Sequence, residues 1–113
     1  MFRHAALPTV DARDIPPGAF IIDVREADEW ADGHIAGSLH MPMQSVPDRL
    51  GELPRDRQVT VLCAVGGRSA HVTAWLVAQG YDAVNAAGGI QAWAAAGRHI
   101  TLDEGLGAGG VPC

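Results

Sequence analysis

The sequence contains no lysine, few aromatic residues and no long apolar run. All eight basic residues are arginine, against 13 acidic residues, so the formal net charge is −5. This acidic balance disfavours nucleic acid and anionic membrane surfaces as partners. No segment reaches the roughly 18 apolar residues that a membrane span needs, and the beginning of the chain lacks the apolar stretch of a secretory signal. We therefore expect a cytoplasmic protein without membrane association.

Cysteine is also scarce, since only Cys63 and Cys113 occur. A disulfide between them is not the first interpretation for a reducing compartment. No C-x-x-C pair is present, and His40 and His71 show no ligand spacing with Cys63. We therefore expect no metal site and no cofactor.

The length and composition predict one globular domain. A chain of 113 residues with 48% hydrophobic residues is long enough to bury a single core. We expect residues 1–100 to form this domain. The glycine-rich residues 101–113 are expected to form a flexible tail.

Short apolar runs alternate with helical patterns along the chain. The runs predict strands within 19–24, 38–42, 59–63 and 82–89, and the patterns predict helices within 26–33, 45–53, 69–80 and 90–97. In the third helix, the spacing of Ala70, Ala74 and Val77 predicts one packed face. The alternation itself predicts a parallel sheet between layers of helices. Ligands of such sheets bind at the carboxyl ends of the strands, where Asp23 and Cys63 both fall.

The loop after the third strand has the composition of an anion site around a nucleophile. It reads Cys63, Ala64, Val65, Gly66, Gly67, Arg68, Ser69. The glycines permit positive φ, so successive amides can be directed at one point beside a helix N-terminus. Arg68 adds a fork of charged donors, and the Ser69 hydroxyl can cap the helix or bind the anion. Together these groups favour the thiolate of Cys63, and no separate base is needed if the loop holds it.

Three segments in order resemble the single-domain rhodaneses, which are sulfurtransferases. The first is IIDVREADEWADGHIAGSLHMP, similar to the family's D-V-R-x-x-x-E-(aromatic)-x-x-G-H-I-x-G-A segment. The second is the loop C-x-x-G-x-R-S, and the third is AGGIQAWAAAG, similar to the family's G-G-x-x-x-W helix. The resemblance covers nearly the whole chain, and three motifs in order are far more specific than one.

The resemblance implies a rhodanese-like three-layer α/β/α fold with a central parallel sheet of about five strands. It implies a ping-pong reaction in which Cys63 takes sulfane sulfur from thiosulfate or a persulfide. The Cys63 persulfide then passes the sulfur to a thiol or to cyanide. The loop residues Ala64–Ser69 are the expected anion site, and by the same resemblance Asp23 and Arg25 line the pocket near this loop. An alternative for Asp23 and Arg25 is that they simply pair with each other.

The expected partners are a small-molecule sulfur donor and a thiol acceptor, and a protein persulfide is a further candidate. The sequence leaves open a monomer or a homodimer. Ala64 and Val65 give the loop no charge before Arg68, whereas relatives with basic residues there suit the thiosulfate dianion better. This departure favours weak thiosulfate activity, or a preference for a less charged persulfide donor.

Two other functions compete with sulfur transfer. Rhodanese-like domains also act as non-catalytic sulfur-sensing or protein-binding modules, usually without the cysteine, so the presence of Cys63 weakens this interpretation. Related phosphatases and arsenate reductases have one more residue between cysteine and arginine, and the shorter loop here favours sulfur. Cys113 is interpreted as a free thiol, with the alternative that it resolves an oxidised or persulfidated Cys63. His34 is expected to be a structural hydrogen-bonding residue.

Overall fold

The computed structural model describes residues 7–102 of the chain. Five strands are present in this range: β1 (Thr9–Asp11), β2 (Phe20–Asp23), β3 (Leu39–His40), β4 (Val59–Leu62) and β5 (Ala83–Ala87). Three α-helices accompany them: α1 (Ala27–Ala31), α2 (Gly67–Ala78) and α3 (Gly89–Ala95). Three 3-10 helices cover Ala12–Asp14, Met43–Ser45 and Pro47–Glu52.

The strands form one parallel sheet in the order β1-β5-β4-β2-β3. Strand β4 lies at the centre and all four of its residues are buried, as expected for a strand covered on both faces. Val61 is paired with Ile22 of β2 on one side and with Asn85 of β5 on the other. This register brings the carboxyl ends of three strands to the same edge of the sheet.

Successive residues of a strand point to opposite faces, and the core is divided accordingly. Ile22 and Val61 belong to one apolar cluster, which also contains Val72 and Leu76 of α2. Ile21 and Leu62 belong to the other, which contains Ile90 and Trp93 of α3. The predicted three-layer arrangement, with helices on both faces of a parallel sheet, is therefore confirmed.

Two local predictions differ from the structure. Strand β1 has only three residues, at the edge of the sheet, and its short Thr-Val-Asp run was not recognised as a strand. The segment predicted as one helix over 45–53 consists of 3-10 turns, because the backbone of Arg49 leaves helical geometry.

The packed face of α2 was also predicted wrongly. Ser69, Val72, Thr73 and Leu76 are the buried residues of this helix, whereas Ala74 and Val77 are exposed. The polar members of this face can be buried because each has a partner: Thr73 Oγ1 donates to the Ser69 carbonyl at 2.8 Å. A count of apolar residues misses such satisfied polar positions.

The chain is still paired at Thr101, one residue inside the segment predicted as a tail. Thr101 and His34 form an antiparallel bridge, with N–H···O distances of 2.9 and 2.8 Å. Residues 103–113 of the predicted tail, including Cys113, lie outside the described residues. Within residues 7–102, no helix is long and apolar enough to cross a membrane.

Candidate active site

Cys63 directly follows β4, at the carboxyl end of the central strand, and only 1% of its surface is exposed. The main chain around it is anchored to the start of α3. The Cys63 carbonyl accepts a hydrogen bond from Ile90 N at 2.9 Å, and the Ala64 carbonyl accepts one from Gln91 N at 3.1 Å. Gly89 passes so close to these two carbonyls that a Cβ atom there would overlap them. A glycine is therefore required at position 89, where the start of α3 meets the loop after β4.

The Cys63 sulfur lies inside a turn of main-chain amides. Gly66 N donates to Sγ at 3.1 Å and Ser69 N donates to it at 3.3 Å. The turn closes because Gly66 has φ of +109°, in the left-handed region that favours glycine. Helix α2 begins at Gly67, two residues earlier than predicted, so its first turn faces the sulfur. The amide turn expected from the loop sequence is thus present around Sγ.

The environment of Cys63 favours its ionised form. Burial by itself raises the pKa of the thiol, and this is the largest single influence. The hydrogen bond between Sγ and the Ser69 hydroxyl, together with those from the amides of Ser69, Gly66 and Val65, acts in the other direction and outweighs burial. The net result is a pKa below the ordinary cysteine value, which is the condition for a nucleophilic thiolate.

A polar chain extends from the sulfur into β5 and was not found from the sequence. The Ser69 hydroxyl is 3.3 Å from Cys63 Sγ and 2.5 Å from Oδ1 of Asn85. Asn85 is buried, and its Nδ2 is 3.5 Å from the Gly66 carbonyl. The available signal was an asparagine inside an otherwise apolar strand, since a buried amide needs partners.

Arg68 is engaged by Glu29, which belongs to the first family-like segment but was given no role in the sequence analysis. Its Nη1 and Nη2 atoms donate to Oε1 and Oε2 of Glu29 at 2.7 and 2.8 Å, a bidentate pair about one-third exposed. The pair holds the pKa of Glu29 down, to about 2, and raises that of Arg68. The fork of donors expected to face a bound anion is therefore directed at a carboxylate. Anion binding by Arg68 stays a prediction.

Asp23 and Arg25 form a second, deeply buried pair. Asp23 ends β2, beside Leu62 of β4, and has no exposed surface. Arg25 Nε and Nη2 donate to its carboxylate at 2.9 and 2.8 Å, and Nη2 also donates to the Gly33 carbonyl at 2.8 Å. Arg25 Nη1 donates to the Glu29 carbonyl at 3.2 Å. The pair thus anchors helix α1, which carries Glu29. The predicted place of Asp23 and Arg25 in the pocket wall stays a prediction.

The remaining candidate residues of this segment are stacked rings. The Trp30 indole is stacked with the His34 ring at a centroid distance of 3.6 Å and with the His40 ring at 4.7 Å. His34 Nδ1 is 2.8 Å from the Trp30 carbonyl, and His40 Nε2 is 2.9 Å from the Arg25 carbonyl. These contacts agree with a structural role for His34. Within residues 7–102, no three His, Cys, Asp or Glu side chains are grouped so as to hold a metal ion.

Comparison with known proteins extends over almost all of the described residues. Residues 8–96 match the family model of the rhodanese-like domain. A sulfurtransferase of Allochromatium vinosum is 43% identical over 86 residues, which cover 75% of this chain and 80% of the relative. The thiosulfate sulfurtransferase GlpE of Stutzerimonas stutzeri is 36% identical, with 74% and 85% covered. The crystal structure of a rhodanese-related protein from Thermoplasma volcanium has a TM-score of 0.80 at 32% identity, with 85% and 99% covered.

A cysteine that directly follows the central strand of a parallel sheet and lies in a turn of amides defines a class of α/β anion-loop domains. The extent of the sequence match decides among its members: the chain belongs to the rhodanese-like domain family. The family and fold expected from the sequence are thereby confirmed. The names of the relatives support sulfur transfer as the general activity.

Proposed function

We propose that the protein transfers sulfane sulfur through a persulfide formed on Cys63. One observation carries this proposal: Cys63 Sγ accepts hydrogen bonds from the amides of Gly66 and Ser69 at 3.1 and 3.3 Å. Donors arranged in this way stabilise a thiolate before the reaction and a persulfide anion after it. The Cys63 side chain can therefore accept a sulfur atom and give it up again while it stays anionic, as a thiolate before transfer and as a persulfide after it.

The proposed reaction has two half-reactions. In the first, the Cys63 thiolate attacks the outer sulfur of a donor such as thiosulfate. A new S–S bond forms, the donor S–S bond breaks, and sulfite leaves with its electron pair. In the second, cyanide or a thiolate attacks the terminal sulfur of the persulfide. The Cys63 S–S bond then breaks, and its electron pair restores the thiolate.

The donor and acceptor are proposed at the level of chemical class. Thiosulfate or a persulfide is the donor, and a thiol or cyanide is the acceptor, with a protein persulfide as a further candidate. Several relatives are named thiosulfate sulfurtransferases, which supports this class of donor. We further propose that Cys63 works without a general base, because the amides and the Ser69 hydroxyl already lower its pKa.

The proposal is tested by intact mass measurement after incubation with a donor. Wild-type protein should gain one sulfur atom, about 32 Da, and should lose it again when cyanide is added. The Cys63→Ser variant should show no gain and no turnover with any donor. A Cys113→Ser variant is the matched control, since it removes the other cysteine and should keep the adduct. Absence of an adduct on wild type with every donor would refute the proposal.

A further inference from the structure

The charge of the candidate site depends on one carboxylate outside the loop. From Ala64 to Gly67 the loop has no charged side chain, so Arg68 is its only cation. Both terminal nitrogens of Arg68 are bound by the two oxygens of Glu29 at 2.7 and 2.8 Å. The positive charge nearest to Cys63 along the loop is therefore matched by a negative one.

Glu29 is held in place by contacts other than Arg68. Its Oε1 accepts a hydrogen bond from Glu26 N at 2.9 Å, and its carbonyl accepts one from Arg25 at 3.2 Å. The buried Asp23–Arg25 pair in turn fixes Arg25. These hydrogen bonds hold the Glu29 carboxylate against Arg68 before any substrate binds. A bound anion would therefore have to compete with Glu29 for Arg68. Glu26 adds a further negative charge close enough to raise the pKa of Arg68.

We propose that Glu29 is a specificity-determining residue, which selects sulfane-sulfur donors of low negative charge over the thiosulfate dianion. The proposal rests on the proposed function and names the substrate class of the same site. A dianion next to Glu29 meets repulsion that is not compensated, whereas a monoanionic or neutral donor meets less. The amides around Sγ remain available to either donor, so chemistry is retained while the choice of donor changes.

Two donors isolate the effect of charge. Thiosulfate carries two negative charges and releases sulfite. Methanethiosulfonate has a methyl group in place of one oxygen, carries one negative charge and releases methanesulfinate. In each case the Cys63 thiolate attacks the outer sulfur, the donor S–S bond breaks, and the leaving group takes the electron pair. The ratio of kcat/KM for the two donors therefore reports the charge discrimination of the site.

The decisive variant is Glu29→Gln, assayed with both donors and cyanide at low ionic strength. Glutamine retains the oxygen that accepts from Glu26 N but removes the charge that neutralises Arg68. We expect kcat/KM for thiosulfate to rise about five- to tenfold relative to methanethiosulfonate, mainly through KM. Added salt should reduce this change, because the groups are partly exposed. Any change in the reactivity of Cys63 affects both donors and cancels in the ratio.

The matched control is Glu52→Gln. Glu52 forms a comparable pair with Arg49 at 2.8 Å, on the 3-10 helix Pro47–Glu52. Its substitution removes the same charge from the protein as a whole and should leave the donor ratio unchanged. Circular dichroism and thermal unfolding of both variants establish that they are folded.

The outcomes separate the two proposals. If wild type forms no persulfide with either donor, the proposed function fails. If wild type forms the persulfide and folded Glu29→Gln has an unchanged donor ratio, the function stands and the role of Glu29 is refuted. A change in ratio of the same size in Glu52→Gln would also refute it, because net charge alone would then explain the effect.

Discussion

The loop after β4 and the turn after β2 lie at the same edge of the sheet but hold charge in different ways. Around Cys63, the contacts that favour the anion come from neutral groups, namely main-chain amides and one hydroxyl. After β2, full charges are paired with each other, Asp23 with Arg25 inside the core and Glu29 with Arg68 nearer the surface. The comparison indicates that neutral dipoles favour the thiolate of Cys63. The buried Asp23–Arg25 pair anchors the surrounding structure, and the Glu29–Arg68 pair sets the charge at the edge of the site.

The two ion pairs differ in burial, and this difference predicts different contributions to stability. The side chains of Asp23 and Arg25 are 0% and 6% exposed, against about one-third for Glu29 and Arg68. Loss of one partner from a buried pair leaves an uncompensated charge in the core, which costs several kcal/mol. Exposed pairs contribute about 1 kcal/mol or less.

The largest effect is therefore expected from Asp23→Asn. We expect the free energy of unfolding to fall by about 3 kcal/mol, because Arg25 keeps its charge in the core without a counter-charge. Urea unfolding monitored by tryptophan fluorescence measures the change. Glu29→Gln, which breaks the partly exposed pair, should cost less than about 1 kcal/mol in the same experiment. Equal losses of unfolding free energy in the two variants would contradict the distinction between the buried pair and the partly exposed pair.

The second prediction concerns the neutral donors around the sulfur. Ser69→Ala removes the hydroxyl that lies 3.3 Å from Sγ and keeps the amide. The contact with this hydroxyl lowers the pKa of Cys63, because the hydroxyl proton can turn to the sulfur once the thiol ionises. Its loss should therefore raise the pKa and leave less thiolate at neutral pH. We expect alkylation by iodoacetamide at pH 7 to slow about tenfold. The midpoint of the rate–pH profile should move to higher pH.

Ser45→Ala is the control for this experiment. The Ser45 hydroxyl donates to the Pro42 carbonyl at 2.7 Å, in a turn that makes no part of the loop after β4. Its loss should leave the pH profile of alkylation unchanged. If Ser69→Ala also leaves the profile unchanged, the main-chain amides alone set the ionisation of Cys63.

Local features of the sequence predicted the central strand, the loop and the helix that follows it, because all three depend on neighbouring residues. The amide turn at Gly66 follows from the conformational freedom of glycine in a short loop. The partners of that loop could not be predicted in this way. Glu29 is 39 residues before Arg68 and Asn85 is 16 residues after Ser69, so both contacts exist only once β2, β4 and β5 are adjacent.

The family resemblance predicted parts of the fold that local patterns missed, but it did not predict the contacts within the site. It implied a sheet of about five strands, although the short strand β1 was not recognisable by itself. It also drew attention to Asp23 and Arg25, whose pairing was left as an alternative. Whether an arginine faces a substrate or a carboxylate depends on which acceptor is nearer, and a linear motif does not contain this information.

The smallest effect is expected at Asn85, and its sign distinguishes it from that at Ser69. In the thiol form, Cys63 Sγ donates to the Ser69 oxygen at 3.3 Å, and the single Ser69 proton is directed to Asn85 Oδ1 at 2.5 Å. Once Cys63 ionises, the same proton can turn to the sulfur, so Asn85 competes with the thiolate for it. Asn85→Val removes the competing acceptor and leaves the proton free to stabilise the thiolate. We expect the pKa of Cys63 to fall and alkylation below neutral pH to quicken about threefold. The double variant with Ser69→Ala should lose this gain, because the proton in question is then absent. A gain that persists in the double variant would mean that Asn85 acts on the sulfur by another route, such as its contact with the Gly66 carbonyl.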